Sequence, residues 1–169
     1  GGYRISKDEL FCNLVDADGY YFTHFLQDKA KTAYGGAELK YGYKDWFDAS
    51  LKGTFYSWKT DNENEELYLM TKPKFELNFY AEAKVFEGLK VYLGYEYVQR
   101  KEYVIEEGNS SRDFGLGNIS NLSVGASYTF LKDLSVFGRV NNLLNKQYYY
   151  EYGYPAEKLN VLAGLSLVF

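Results

Sequence analysis

Catalysis and metal binding need nucleophiles, acids, bases or ligands brought close together, and this chain is poor in most of them. It has one histidine, His24, and one cysteine, Cys12. A single histidine excludes a histidine-rich metal cage, and a single cysteine excludes an intramolecular disulfide and a thiolate cluster. His24 is therefore expected to be structural or solvated, and Cys12 a packed or lipid-facing thiol. Carboxylates are more plentiful. The run Asp61, Glu63, Glu65 and Glu66 lacks the spacing and the glycine of an EF-hand loop, so it reads as a solvated loop rather than a calcium site. Glu38, Asp48, Glu76, Glu82 and Glu96 could in principle supply an acid and a base, but no Ser-His or Asp-His set accompanies them. No catalytic residue, metal site or cofactor is expected, and the chain reads as a non-enzyme. The expected task of these carboxylates is charge pairing with Lys40, Lys52, Lys74, Lys84 and Lys90, because unpaired ions are costly where water is scarce. The tyrosines of Tyr148 to Tyr154 could stack on a ring or a sugar, though they read better as an aromatic belt crowning a strand.

The segments that carry these residues alternate with a period of two, the signature of a half-buried strand. Phe75, Leu77, Phe79, Ala81, Ala83 and Val85 form one row, against Lys74, Glu76, Asn78, Tyr80, Glu82 and Lys84. The same alternation sets Ala37, Leu39, Tyr41 and Tyr43 against Glu38, Lys40, Gly42 and Lys44. It recurs at Phe47 to Phe55, Leu89 to Tyr97, Leu122 to Phe130 and Leu159 to Phe169, and less cleanly at Tyr3 to Val15 and Leu134 to Tyr150. Tight turns are signalled at Lys44-Asp45, Glu87-Gly88 and Lys132-Asp133, and long polar connections at Asp61 to Thr71, Glu106 to Gly117 and Glu151 to Glu157. A further turn at Asp16-Ala17-Asp18-Gly19 completes about eight strands in up-and-down order. The expected fold is all-β: one antiparallel up-and-down transmembrane β-barrel, or a segment of one, spanning residues 1–169, with Gly1 and Gly2 expected to lie outside the native sequence.

Two environments suit such a pattern. A lipocalin-like soluble barrel would turn its apolar rows inward around a ligand, and a membrane barrel would turn them outward to lipid. The rims favour lipid. Tyr41, Tyr43, Trp46, Phe47, Phe86, Tyr128, Phe130 and Phe169 gather near the short turns, and Tyr56, Trp58, Tyr97, Tyr148, Tyr149 and Tyr150 near the long loops, as two interfacial girdles would. No apolar run approaches the roughly 18 residues of a membrane-spanning helix. A net charge of -4 with no basic cluster excludes a nucleic-acid surface.

The last strands carry a more particular pattern. Val140-Asn141-Asn142-Leu143-Leu144-Asn145-Lys146-Gln147-Tyr148, then Gly153-Tyr154-Pro155 and a final strand closing on Phe169, resembles the C-terminus of TonB-dependent outer-membrane receptors. Lys29-Ala30-Lys31-Thr32 and Gly36-Ala37-Glu38-Leu39 resemble a recurrent strand of that family. Leu144 replaces the family's usual Phe and Glu157-Lys158 its Gly-Arg, and about two extra residues precede Gly36, which a bulge near Gly35-Gly36 would absorb. The resemblance implies a C-terminal barrel portion of a Gram-negative outer-membrane receptor that imports a scarce nutrient: an iron chelate, cobalamin or a glycan. It also implies outer-membrane lipid as the surround and a TonB complex engaged only through a plug that this chain lacks. Phe169, Leu167, Leu165 and Ala163 would be the signal read by the barrel assembly machinery. The rival readings are a complete eight-stranded barrel of OmpA or OmpX type with a structural role, and the lipocalin-like binding barrel.

Overall fold

In the computed structural model the described residues are 1–14, 22–61, 68–101, 104–107, 110–113, 116–132, 134–151 and 154–167; side chains are described for these except 8–14, 22–28, 104–107, 110–113 and 151. The strands are β1 (Gly2–Leu14), β2 (Phe22–Tyr43), β3 (Phe47–Thr60), β4 (Pro73–Phe86), β5 (Leu89–Arg100), β6 (Val104–Glu107), β7 (Ser110–Asp113), β8 (Ile119–Leu131), β9 (Leu134–Asn141), β10 (Tyr149–Glu151), β11 (Tyr154–Pro155) and β12 (Asn160–Leu167). Eight of them form one antiparallel sheet in the order β1-β2-β3-β4-β5-β8-β9-β12, each strand beside its successor in the meander. The remaining four make two small hairpins, β6-β7 and β10-β11, inside the long connections.

The three tight turns lie at one end of the sheet. Tyr43 pairs with Phe47 across residues 44–46, Phe86 with Leu89, and Leu131 with Leu134. Lys44 takes the left-handed conformation there, at φ 51°. The long connections all leave from the opposite end. The turn expected at Asp16 to Gly19 lies outside the described residues.

Register converts sequence alternation into two faces. Reading across the sheet, Tyr41, Ala49, Ala81, Leu93, Val124, Val140 and Val161 are successive partners and form one apolar rung. One residue along, Lys40, Ser50, Tyr80, Gly94 and Ser123 form a polar rung on the other face. A slip of one residue in any pair would exchange the faces of that strand; in the main sheet the register shifts lie at strand ends, between Pro73 and Phe75, Lys84 and Phe86, and Thr129 and Leu131. The expected bulge at Gly35-Gly36 is a correction: pairing runs through Tyr34↔Tyr56, Gly35↔Phe55 and Gly36↔Thr54 without a shift. Glycine is needed at position 36 for a different reason. A Cβ there would stand 2.4 Å from the Gly53 carbonyl oxygen.

β1 and β12 are the two edges, so among the described residues the sheet is open rather than closed on itself. Pairing of β2 with β3 begins at Ala30, and among the described residues the distal part of the β1-β2 ribbon has no third strand. A single sheet buries little of its own, and the apolar face is accordingly exposed: Leu39 at 68%, Phe55 at 65% and Leu165 at 72%. Among the described residues, the buried large side chains gather at the long-loop end. There Tyr68, Met70 and Ile119 are almost wholly buried, and Val98, Ile119 and Tyr148 pack together with Ala156 against them.

Candidate functional site

The polar face is where recognition chemistry can occur. Glu38, Lys52, Asn78, Glu96, Asn121 and Arg139, drawn from six strands, border a cavity of about 340 Å3. Charge pairing there is partial. Lys90 Nζ lies 3.1 Å from Glu82 and Lys40 Nζ 3.3 Å from Glu38. The second pair is largely in the open and is worth little. Glu76 and Glu96 depart from the expected pairing with lysine: Tyr56 donates its hydroxyl to Glu76 at 2.8 Å, and Tyr150 donates to Glu96 at 3.0 Å. A phenol beside a carboxylate ends one of its lone-pair obligations without needing a buried ammonium, and reading lysines alone missed this. The Tyr150 phenol is pushed up by burial and by the Glu96 charge. Tyr80 and Tyr92 stack at 6.4 Å, and the Arg139 guanidinium sits 6.0 Å from the Tyr92 ring. The Tyr92 ring lies over Gly125, where a Cβ would come within 2.3 Å of it.

The short-turn girdle forms as expected. Tyr43 and Trp46 meet edge to face at 5.9 Å, Phe86 and Tyr128 at 6.0 Å, and Tyr128 and Phe130 stack at 6.4 Å. The long-loop girdle needs correction. Tyr56 and Trp58 share the polar row of β3 with Lys52 and Thr54, so they line the interior, and Tyr148 is buried in the loop-end core rather than crowning a strand. The outward rings at that level are Phe55, Phe75 and Tyr97, with centroids 4.5 and 6.4 Å apart. Their odd-numbered positions held this information, but composition near the loops obscured it.

The Asn-rich motif is a turn that ends β9. Asn142 and Asn145 both take left-handed φ, 49° and 50°, which asparagine tolerates better than most residues. Asn142 is 1% exposed, and its amide nitrogen donates to the carbonyls of Lys146 (2.7 Å) and Glu157 (3.1 Å) while its side-chain oxygen accepts from the Lys146 N–H. Asn145 Oδ1 accepts from Leu159 N–H at 3.2 Å and so ties the turn to the approach of β12. Leu143 and Leu144 are half-exposed, and Lys146 is exposed. Ala163, Leu165 and Leu167 project from the apolar face of edge strand β12, whereas Phe169 lies outside the described residues. Cys12 and His24 are register partners in β1 and β2, with side chains outside the described set. Of the acidic run, Asp61 is described and pairs with Lys31 at 3.7 Å.

No protein-family model matches the chain, and no curated protein matches it in sequence. Its fold does have counterparts among solved structures. It superposes on Pseudomonas aeruginosa FpvA bound to a heterologous pyoverdine with a TM-score of 0.68 at 16% identity, covering 98% of this chain and 24% of that one. The ferripyoverdine receptor of the outer membrane of the same organism gives 0.66 at 15% identity, with 98% and 24% covered. A mutant of its ferric enterobactin receptor, PfeA, gives 0.65 at 16%, with 99% and 28% covered. The chain thus has the fold of a segment of an outer-membrane receptor barrel, and it spans about a quarter of the length of the structures it matches.

Proposed function

We propose that this chain is a barrel segment of a TonB-dependent receptor in the outer membrane of a Gram-negative bacterium, and that the whole protein imports an iron chelate. The observation that carries the reading is the two-faced register of the eight-stranded sheet, in the shape of ferric-siderophore receptor barrels. In this account the rung from Tyr41 to Val161 meets acyl chains and the Glu38 to Arg139 cavity faces the lumen. An open sheet with two free edges supports a segment of a larger barrel over a self-closed eight-stranded one. Apolar residues exposed on the face opposite the polar cavity argue against a lipocalin-like container. Ala163, Leu165, Leu167 and Phe169 act as the assembly signal, and coupling to TonB runs through a plug outside this chain. The segment is a wall and a binding surface, with no step of chemistry assigned to it.

The test is uptake of labelled iron from a ferric chelate by cells with and without the protein that carries this chain. Loss of uptake on deletion, with the protein in the outer-membrane fraction, is the expected result. Unchanged uptake of every ferric chelate tried, or a protein found in the soluble fraction, contradicts the reading.

A further inference from the structure

We infer that Lys7, Lys29, Lys31 and Lys59, on the outward face above its aromatic rung, form a site for the phosphate groups of a lipid in the membrane leaflet on the long-loop side. This rests on the receptor reading, which turns that face to lipid, and adds which lipid and where. Register places the four residues. The odd-numbered rows of β1, β2 and β3 that hold Leu39, Leu51 and Phe55 also hold these lysines, all toward the long loops. Among the described side chains of those rows, the four lysines are the charged ones. Lys7 pairs directly with Lys29, and Lys31 with Lys59, on successive outward rungs. Like charges set opposite one another weaken a sheet, so two such pairs together call for an anion between them. Asp61 answers Lys31 at 3.7 Å across a largely open gap, which is worth little, and Lys29 has a contact of its own. Lys7 and Lys59 are exposed and stand on either side of those two, on β1 and β3.

Height fits a headgroup. Phe55, Phe75 and Tyr97 mark the upper limit of the apolar band. Along β3, Lys59 lies four residues beyond Phe55, about 14 Å of strand at about 3.4 Å each, or about 10 Å along the membrane normal at a tilt near 45°. That is the zone of lipid headgroups, just outside the hydrocarbon. A lysine stem is long and flexible enough to bring its ammonium onto a phosphate from there. The rung between rings and lysines is low: Tyr3, Ala33 and Ser57 are its successive partners, and the two on β2 and β3 are short. A headgroup stem can therefore lie against the sheet while the acyl chains run down over Leu39 and Leu51. A free anion would use the lysines but gain nothing from the apolar rows beneath them. A neutral lipid would cover those rows but leave the like-charge pairs unanswered. Both features lie on the same three strands without a break, so the occupant carries phosphate and acyl chains together.

The complete protein carrying this chain, purified in a neutral detergent, is titrated with lipid A, with the same lipid stripped of its phosphates, and with inorganic phosphate. Lipid A is expected to bind at least about ten-fold tighter than either, with an advantage that shrinks as salt is raised. Lys31→Gln and Lys59→Gln should each weaken lipid A by about five-fold or more, whereas Lys74→Gln, beside Tyr56 and Trp58 on the opposite face, stays within about two-fold. In neutral detergent without lipid, Lys59→Gln should keep or raise the melting temperature, because it removes a like-charge opposition. A fall there would give the lysine a structural task and overturn the inference. So would equal binding of the stripped lipid, which would make the lysines a solvated face, or inorganic phosphate binding as tightly as lipid A. Both glutamine variants staying within about two-fold of the parent for lipid A would overturn it as well. A protein that imports iron from the outer membrane yet fails these titrations loses the lipid site alone. One absent from the outer membrane loses the receptor reading too.

Discussion

Placing an arginine at the middle of the apolar face should cost far more than placing one at the same height on the polar face. The height follows from the girdles. From Phe75 to Phe86, β4 advances eleven residues, about 37 Å of strand at about 3.4 Å each, or about 26 Å along the membrane normal at a tilt near 45°. That matches the roughly 25 Å apolar band of outer-membrane barrels. Its midpoint falls at Ala81, whose partner Leu93 lies on the apolar row, flanked on the other side by Val124. Ser50 occupies the same height on the polar row, between Lys40 and Tyr80, and lines the polar cavity. Leu93→Arg should therefore destabilise by about 2 to 4 kcal/mol, the cost of a guanidinium at the bilayer midplane. Ser50→Arg should stay within about 0.5 kcal/mol, because its charge remains in a wet, partly anionic lumen. The assay is reversible denaturant unfolding of the complete protein in lipid vesicles, followed by tryptophan fluorescence. Equal costs, or a larger cost at Ser50, would refute the face assignment.

Three further outcomes follow from particular contacts. Asn142→Ala leaves the Lys146 and Glu157 carbonyls without their donor and forces alanine into left-handed φ; it should cost about 2 to 4 kcal/mol and open the turn after β9 to protease, read by denaturation and limited proteolysis. Gly36→Ala meets the Gly53 carbonyl whereas Gly35→Ala meets nothing within 4 Å; the first should cost about 1 to 3 kcal/mol and the second almost nothing, as heat-dependent gel mobility will report. Glu82→Gln removes a partly exposed pair with Lys90 and should cost less than about 1 kcal/mol, a difference that shrinks at about 1 M salt and is recovered by exchanging the two charges.

Much of the architecture was legible because a period of two is a local property. Phe75 to Val85 announces a strand without reference to its neighbours, and Glu87-Gly88 announces a turn. What the sequence could not display is what depends on several strands at once. Tyr56 and Trp58 are aromatic and close to a long loop, so composition places them in an interfacial girdle; only the count from Phe55 along β3 turns them inward. Tyr148 looked like one more ring in a row of tyrosines, and its burial against Val98 and Ile119 depends on how a loop folds back over two strands. The Asn142 motif was recognisable as a pattern, but its work as a left-handed, fully satisfied turn required the Glu157 carbonyl from far along the chain. The two extra residues before Gly36 suggest a bulge, but the register absorbs none there, and the demand for glycine at that position comes from a backbone oxygen on the next strand, which the sequence does not display.

The most direct measurement is a scan of single cysteines at positions 75–84, in a Cys12→Ala background, each carrying a fluorophore and reconstituted with brominated lipid. Quenching at 75, 77, 79, 81 and 83 with protection at the even positions is the predicted result. Quenching at the even positions, or no two-residue alternation, would contradict an apolar face turned to lipid and a polar face turned to the lumen.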